Sequence, residues 1–144
     1  MTGLKTGYDT GLIEPKIAPL VQAVQDAGLA TFSSCEGHIE DANESFPRWA
    51  CVGFFADEER ARRVHTSLLR YRSRLACSWD LRGTFVLHRE NVGEFALGWI
   101  LENCGSLQAG EPDEFHRRTV KDGWDRDIPM LIEMFNELHH KELR

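Results

Sequence analysis

Thr31-Phe32-Ser33-Ser34-Cys35-Glu36-Gly37-His38 carries the densest set of reactive groups in this chain. Hydroxyls, a thiol, a carboxylate and an imidazole follow one another, and Gly37 opens the backbone amides beside them. Cys35 and His38 stand three residues apart, so one turn brings sulfur and imidazole together. Such a pair can favour a thiolate, which makes Cys35 a nucleophile, or it can supply two ligands to a metal. Glu36 between them is a candidate general acid or base where burial tunes it. A third chemistry uses Ser33, Ser34 and the Gly37 turn as a nest of donors for a phosphate or carboxylate. Cys35, His38 and Glu36 are therefore the catalytic candidates, and Ser33, Ser34 and Gly37 the substrate-binding ones. The competing structural reading is a buried cysteine next to a Ser/Gly turn.

A tetrahedral zinc site needs more ligands than these two. His65, His88 and His116 are distant imidazoles, and no spacing selects among them. Zinc is a candidate by residue type alone, and no metal-ligand set is assigned. The absence of CxxC argues against a four-thiolate site, and no GxGxxG, Walker loop or HExxH occurs. Asp80 and Arg82 alternate with apolar residues in Trp79-Asp80-Leu81-Arg82 at an inferred strand end. They are further substrate-binding candidates, either meeting the Cys35 loop across a sheet or pairing with each other.

The elements that must position these groups follow from pattern. Pro15 suits a first helical turn, Ile17, Leu20, Val21 and Val24 recur at helical spacing, and Gly28 is placed to end the helix. Residues 29–34 are β-compatible and run into the Cys35 loop, which continues through a polar stretch from Ile39 to Arg48. Trp49 to Phe55 reads as a buried strand. Asp57 caps a helix over 57–74, with Glu58 and Glu59 in its first turn and a seam of Ala61, Val64, Leu68, Tyr71 and Leu75. Strands are expected at 76–81 and 84–88 around Arg82-Gly83, and residues 95–101 suit a further strand better than a short helix. After a loop at 105–112, a helix runs from about Asp125 to Leu143, with Pro129 in its first turn.

This order predicts a single α+β domain over 1–144, a mixed sheet of about five strands and three main helices, with 1–14 as an arm. Strand 49–55, helix 57–74 and strand 76–81 would form a right-handed crossover. The helix over 57–74 also carries Arg60, Arg63, Arg70 and Arg74 in one stripe. Such a stripe can neutralise RNA phosphates, or it can be a solvated face whose arginines complement the helix dipole. Trp49, Trp79, Trp99 and Trp124 each adjoin apolar segments and read mainly as core anchors.

Composition limits the function. The chain has 144 residues with 17 Lys+Arg against 23 Asp+Glu, a net charge of −6, which excludes a generally basic nucleic-acid binder. Apolar runs stop well short of the ~20 residues of a membrane span. The N-terminus lacks the pattern of a signal peptide, so a cytoplasmic protein with four thiols, Cys35, Cys51, Cys77 and Cys104, is expected.

The segment Thr31–His38 resembles the Thr-Ser-Ser-Cys-Ser-Gly-Arg signature of the wybutosine-synthesis protein 3 family. Ser33, Ser34, Cys35 and Gly37 match that signature, whereas Glu36 stands where the family has Ser and His38 where it has Arg. The layout is similar over roughly residues 15–90. The resemblance implies a transferase-like tRNA-modifying enzyme that methylates a tricyclic guanosine derivative of tRNA with S-adenosylmethionine as cofactor. On that expectation the substrate is a tRNA or a small molecule held at the Ser33–His38 loop. The alternatives are a non-catalytic small-ligand or metal-binding domain using the same loop, and an interaction module in which the loop is structural.

Overall fold

The computed structural model describes residues 13–38, 49–87, 95–103 and 114–141. The elements in chain order are α1 (Ala18–Asp26), β1 (Ala30–Cys35), β2 (Cys51–Phe55), α2 (Glu58–Tyr71), β3 (Trp79–Leu87), β4 (Phe95–Asn103) and α3 (Glu114–Lys141). The strands form one sheet in the order β1-β2-β4-β3, and every neighbouring pair is antiparallel.

The helix starts and stops follow local chemistry. The Glu14 carbonyl accepts from the Ile17 and Ala18 amides, so Pro15 opens a turn that runs into α1. Gly28 follows the end of α1 at φ +88°, a conformation that favours glycine. Asp57 caps α2 by accepting from the Arg60 amide at 2.8 Å, and Ala61, Val64, Leu68 and Tyr71 form its buried seam.

Pleating sorts the sheet into two faces. Val52 and Phe54 on β2, Leu101 on β4 and Trp79 on β3 join residues of all three helices in one core. Phe54 and Phe135 meet edge to face in its centre. Burying each such side chain is worth about 1.5–3 kcal/mol. The carboxylate of Asp127 on α3, itself buried, accepts from the Ala76 amide at 2.6 Å, the Cys77 amide at 2.8 Å and Trp79 Nε1 at 2.8 Å. This clamp ties α3 to the chain entering β3.

Three expectations need correction. Among the described residues the sheet has four strands, because the segments expected at 76–81 and 84–88 fall largely within one strand, Trp79–Leu87. Gly83 makes no turn there; a Cβ at that position would lie 3.0 Å from Trp99, so the missing side chain admits the indole. The sheet is also not mixed. β2 and β3 run parallel to each other, as the crossover expectation required, but β4 lies between them and all pairing is antiparallel. Finally, α3 begins at Glu114 rather than near Asp125, so Pro129 lies inside it. The strand expected at 95–101 is present as β4. The loops expected at 39–48 and 105–112 lie outside the described residues, as do residues 1–12 of the expected arm and Cys104.

Candidate functional site

α1 and β1 fold back on each other around Gly28. A nine-residue helix is about 14 Å long, and a six-residue strand about 20 Å. The turn Pro15–Ile17 extends the shorter arm, so residues just ahead of α1 fall beside residues just after β1. The backbone fastens them reciprocally: the Glu36 amide donates to Glu14 Oε1 at 3.0 Å, and the Lys16 amide donates to Glu36 Oε2 at 3.0 Å.

Past Cys35 the chain turns through Gly37 at φ +93°. A Cβ on Gly37 would come 2.2 Å from the Trp124 ring, so glycine is required both for the turn and for the approach of α3. Trp124 is buried and meets Trp49 edge to face. The turn brings His38 back towards α1, where its Nε2 lies 2.5 Å from Glu14 Oε2. The Gly37 amide donates to Cys35 Sγ at 3.4 Å, and Cys35 also hydrogen-bonds the Glu14 carboxylate.

Glu14, Cys35 and His38 thus converge: one ligand atom from each lies within 4.8 Å of the other two, and all three side chains are half-buried. Burial pushes the Glu14 carboxyl up, but the Glu36 amide, His38 and Cys35 together outweigh it, and Glu14 ends below the usual carboxylate value. Its negative charge is therefore held at the centre of the site. On α3, burial and neighbouring Lys16 lower the pKa of Lys121, against the opposing pull of Glu36, Asp125 and Glu14. Lys121 is thus within electrostatic reach of Glu14 and Glu36.

The sequence candidates divide. Cys35 and His38 come together as their spacing requires, but the carboxylate that joins them is Glu14. Glu36 instead braces the entry to α1 through the Lys16 amide. Ser33 and Ser34 lie within β1, opposite Gly53 and Val52. Gly37 forms the turn. Cys35 is opposite Cys51, Cys51 opposite Glu102, and Glu102 opposite Asp80, a row crossing all four strands. Asp80 is thus three strand spacings from Cys35, about 14 Å, and its carboxylate accepts from the Leu81 amide. Arg82 bonds Glu102 at 3.1 Å. Neither Asp80 nor Arg82 joins the Glu14–Cys35–His38 cluster.

Cys51 is pushed up to about 12, chiefly by burial and then by the Cys35 and Glu102 charges. Among the four arginines of the stripe, Arg60 donates to the Gly28 carbonyl at 2.7 Å and Arg63 to Glu59 at 2.8 Å. Arg70 donates to Ser67 at 3.0 Å, and Arg74 donates to Glu133 at 3.0 Å while stacking over Tyr71. Each has a partner within the fold. His65 lies exposed on α2; His88 and the side chain of His116 are outside the described residues.

Glu14 was not selected from sequence because it stands 21 positions from Cys35 and belongs to no local motif. The available signal was topological: an acidic residue before a helix whose following strand ends in Cys-x-x-His.

No helix among the described residues is long and apolar enough to cross a membrane. In comparisons with protein families, curated proteins and solved structures, nothing matches this chain.

Proposed function

We propose that this protein binds a divalent cation of the zinc type through Glu14, Cys35 and His38, and that the ion serves chemistry on a bound polar substrate. The observation that carries this reading is the convergence within 4.8 Å of three ligand atoms, two from the Cys35–His38 turn and one from Glu14 ahead of α1. Thiolate, imidazole and carboxylate are together the ligand types zinc accepts, and the mixture disfavours calcium and magnesium, which take oxygen. Zinc at about 2.0–2.3 Å from each ligand separates tetrahedral ligand atoms by about 3.5 Å. Binding would therefore part the 2.5 Å Glu14–His38 hydrogen bond.

Among the described residues no fourth side chain joins the set. Three protein ligands with one remaining position is the arrangement of catalytic zinc, where a bound water is acidified to a pKa of about 7 or a carbonyl or phosphoryl oxygen is polarised. The lowered pKa of Glu14 fits the role, because a ligating carboxylate must bind without its proton.

The metal-free protein should take up one zinc or cobalt ion per chain, with sulfur-to-cobalt charge-transfer absorption that disappears in Cys35→Ser. His38→Ala and Glu14→Gln should each weaken zinc by at least tenfold. Equal binding by the wild type and all three variants would sink the assignment.

The match of Ser33, Ser34, Cys35 and Gly37 to the wybutosine-synthesis signature supports a second reading, methyl transfer from S-adenosylmethionine to a tRNA nucleoside at the same loop. Saturable binding of S-adenosylmethionine that Gly37→Ala abolishes is its expected signature; no binding to the zinc-loaded protein removes it.

A further inference from the structure

We propose that Cys35 and Cys51 form a reversible cross-strand disulfide on exposure to peroxide, and that this bond switches off metal binding. The second half rests on the reading of Cys35 as a metal ligand; the first half does not.

The two cysteines are the terminal pair of the β1–β2 ladder and stand directly opposite each other. Directly opposed residues on antiparallel strands have Cα atoms about 4.5 or 5.5 Å apart, depending on which kind of pair they form. Both values fall inside the roughly 4.4–6.8 Å that a disulfide spans. Opposed side chains also leave the sheet on the same face. The Cys51 sulfur is close enough to accept a hydrogen bond from the Cys35 backbone and to feel the charge of its thiol. Both side chains are half-buried, so a small oxidant can reach them. Beyond Cys35 the β1–β2 ladder ends, so no further strand pairing restrains that end of the bond. Cys77 sits elsewhere, ahead of β3, with its sulfur directed to the Val120 carbonyl.

The chemistry balances with hydrogen peroxide as the oxidant. The Cys35 thiolate attacks one peroxide oxygen, the O–O bond breaks, and the departing hydroxide takes a proton to become water. Cys35 is left as a sulfenic acid. The Cys51 sulfur then attacks the Cys35 sulfur; the S–S bond forms, the S–O bond breaks, and the hydroxide leaves with the Cys51 proton as a second water. Two thiols lose two electrons and one peroxide gains them. Cys51 is the resolving group because it stands directly opposite Cys35 at the end of the ladder, where its sulfur faces the sulfenic acid. A disulfide sulfur carries no charge for a cation, so oxidation leaves only Glu14 and His38, too few for a tetrahedral site. Partly exposed disulfides of this kind are the readily reduced ones.

The test treats the full zinc-loaded chain with hydrogen peroxide and follows mass, linked peptides and zinc release to a chromogenic chelator. The expected result is a loss of two hydrogens, a peptide linking Cys35 to Cys51, stoichiometric zinc release, and full recovery of zinc binding after dithiothreitol. In Cys51→Ser, zinc uptake should match the wild type, but Cys35 should oxidise onward to the sulfinic acid and binding should not return. No Cys35–Cys51 peptide, or recovery of Cys51→Ser as complete as the wild type, overturns the proposal. If the chain takes up no zinc, the metal reading fails by itself. The metal-free chain must then still form the link, and its absence there overturns the disulfide.

Discussion

Trp124 occupies the space into which a side chain at Gly37 would project, with the nearest ring carbon 2.2 Å from where a Cβ would stand. α3 and the site loop therefore hold each other in place, and His38, the next residue, inherits that constraint. Gly37→Ala meets two penalties at once, the positive φ and the indole. The expected loss of stability is about 1–3 kcal/mol, with weaker zinc binding as His38 is displaced. Among the described residues Trp124 Nε1 has no hydrogen-bond partner, so Trp124→Phe gives up no bond while making room. The double variant should recover part of both losses in urea melts and zinc titrations; no recovery would place the defect in the backbone alone.

The clamp at Asp127 predicts a large effect far from any proposed chemistry. Its carboxylate accepts three N–H groups, from Ala76, Cys77 and Trp79. Asp127→Asn turns one acceptor into a donor among donors, and leaving a buried group unsatisfied costs about 1–3 kcal/mol. Urea unfolding should show a loss in that range, and amide exchange at 76 and 77 should quicken. A midpoint within error of the wild type would mean the contacts are not formed.

Tyr71 supplies an alkaline limit. Burial first, and then the hydrogen bond it donates to Glu137 at 2.5 Å, raise its pKa above the ordinary phenol value. A raised folded pKa means the folded state holds its proton after the unfolded chain has lost it. The corresponding stability is complete below about pH 10, the unfolded value, and falls as pH rises through the folded one. The phenolate absorbance that the folded chain develops above the ordinary phenol range should be absent in Tyr71→Phe. A flat stability profile above pH 10 would contradict the bond to Glu137.

Local signals were the legible part of this fold. Asp57 with Glu58 and Glu59 announced α2, and Gly28 the end of α1, because caps and turns act within a few residues. Arg82-Gly83 misled because glycine serves two purposes: a turn and a close approach give the same letter, and only the neighbouring strand with Trp99 decides between them. The early start of α3 was hidden by a polar first half, whose anchors, Val120 and Trp124, are set by packing against other elements. The site itself was half legible. Cys35 and His38 share a turn, but Glu14 reaches them only through the α1–β1 fold-back, and a long-range relation of that kind has no periodicity to read.

Glu36 separates a bracing role from a chemical one. Its carboxylate accepts from the Lys16 amide, and its own amide donates to Glu14, so it fixes the segment that carries one proposed ligand. Glu36→Gln keeps an oxygen that can accept the same N–H and should leave zinc affinity within about threefold of the wild type. Glu36→Ala removes the acceptor while leaving the amide in place. A lost hydrogen bond of this type is worth about 1 kcal/mol, which is roughly a fivefold weakening if all of it reaches the metal site. Competition titrations with a chelator of known affinity can resolve that difference. Were Glu36 a direct ligand, Gln and Ala would both abolish binding; were it a general acid or base, Gln would keep affinity and lose turnover. Only the brace gives the pattern of a silent Gln and a modestly weakened Ala.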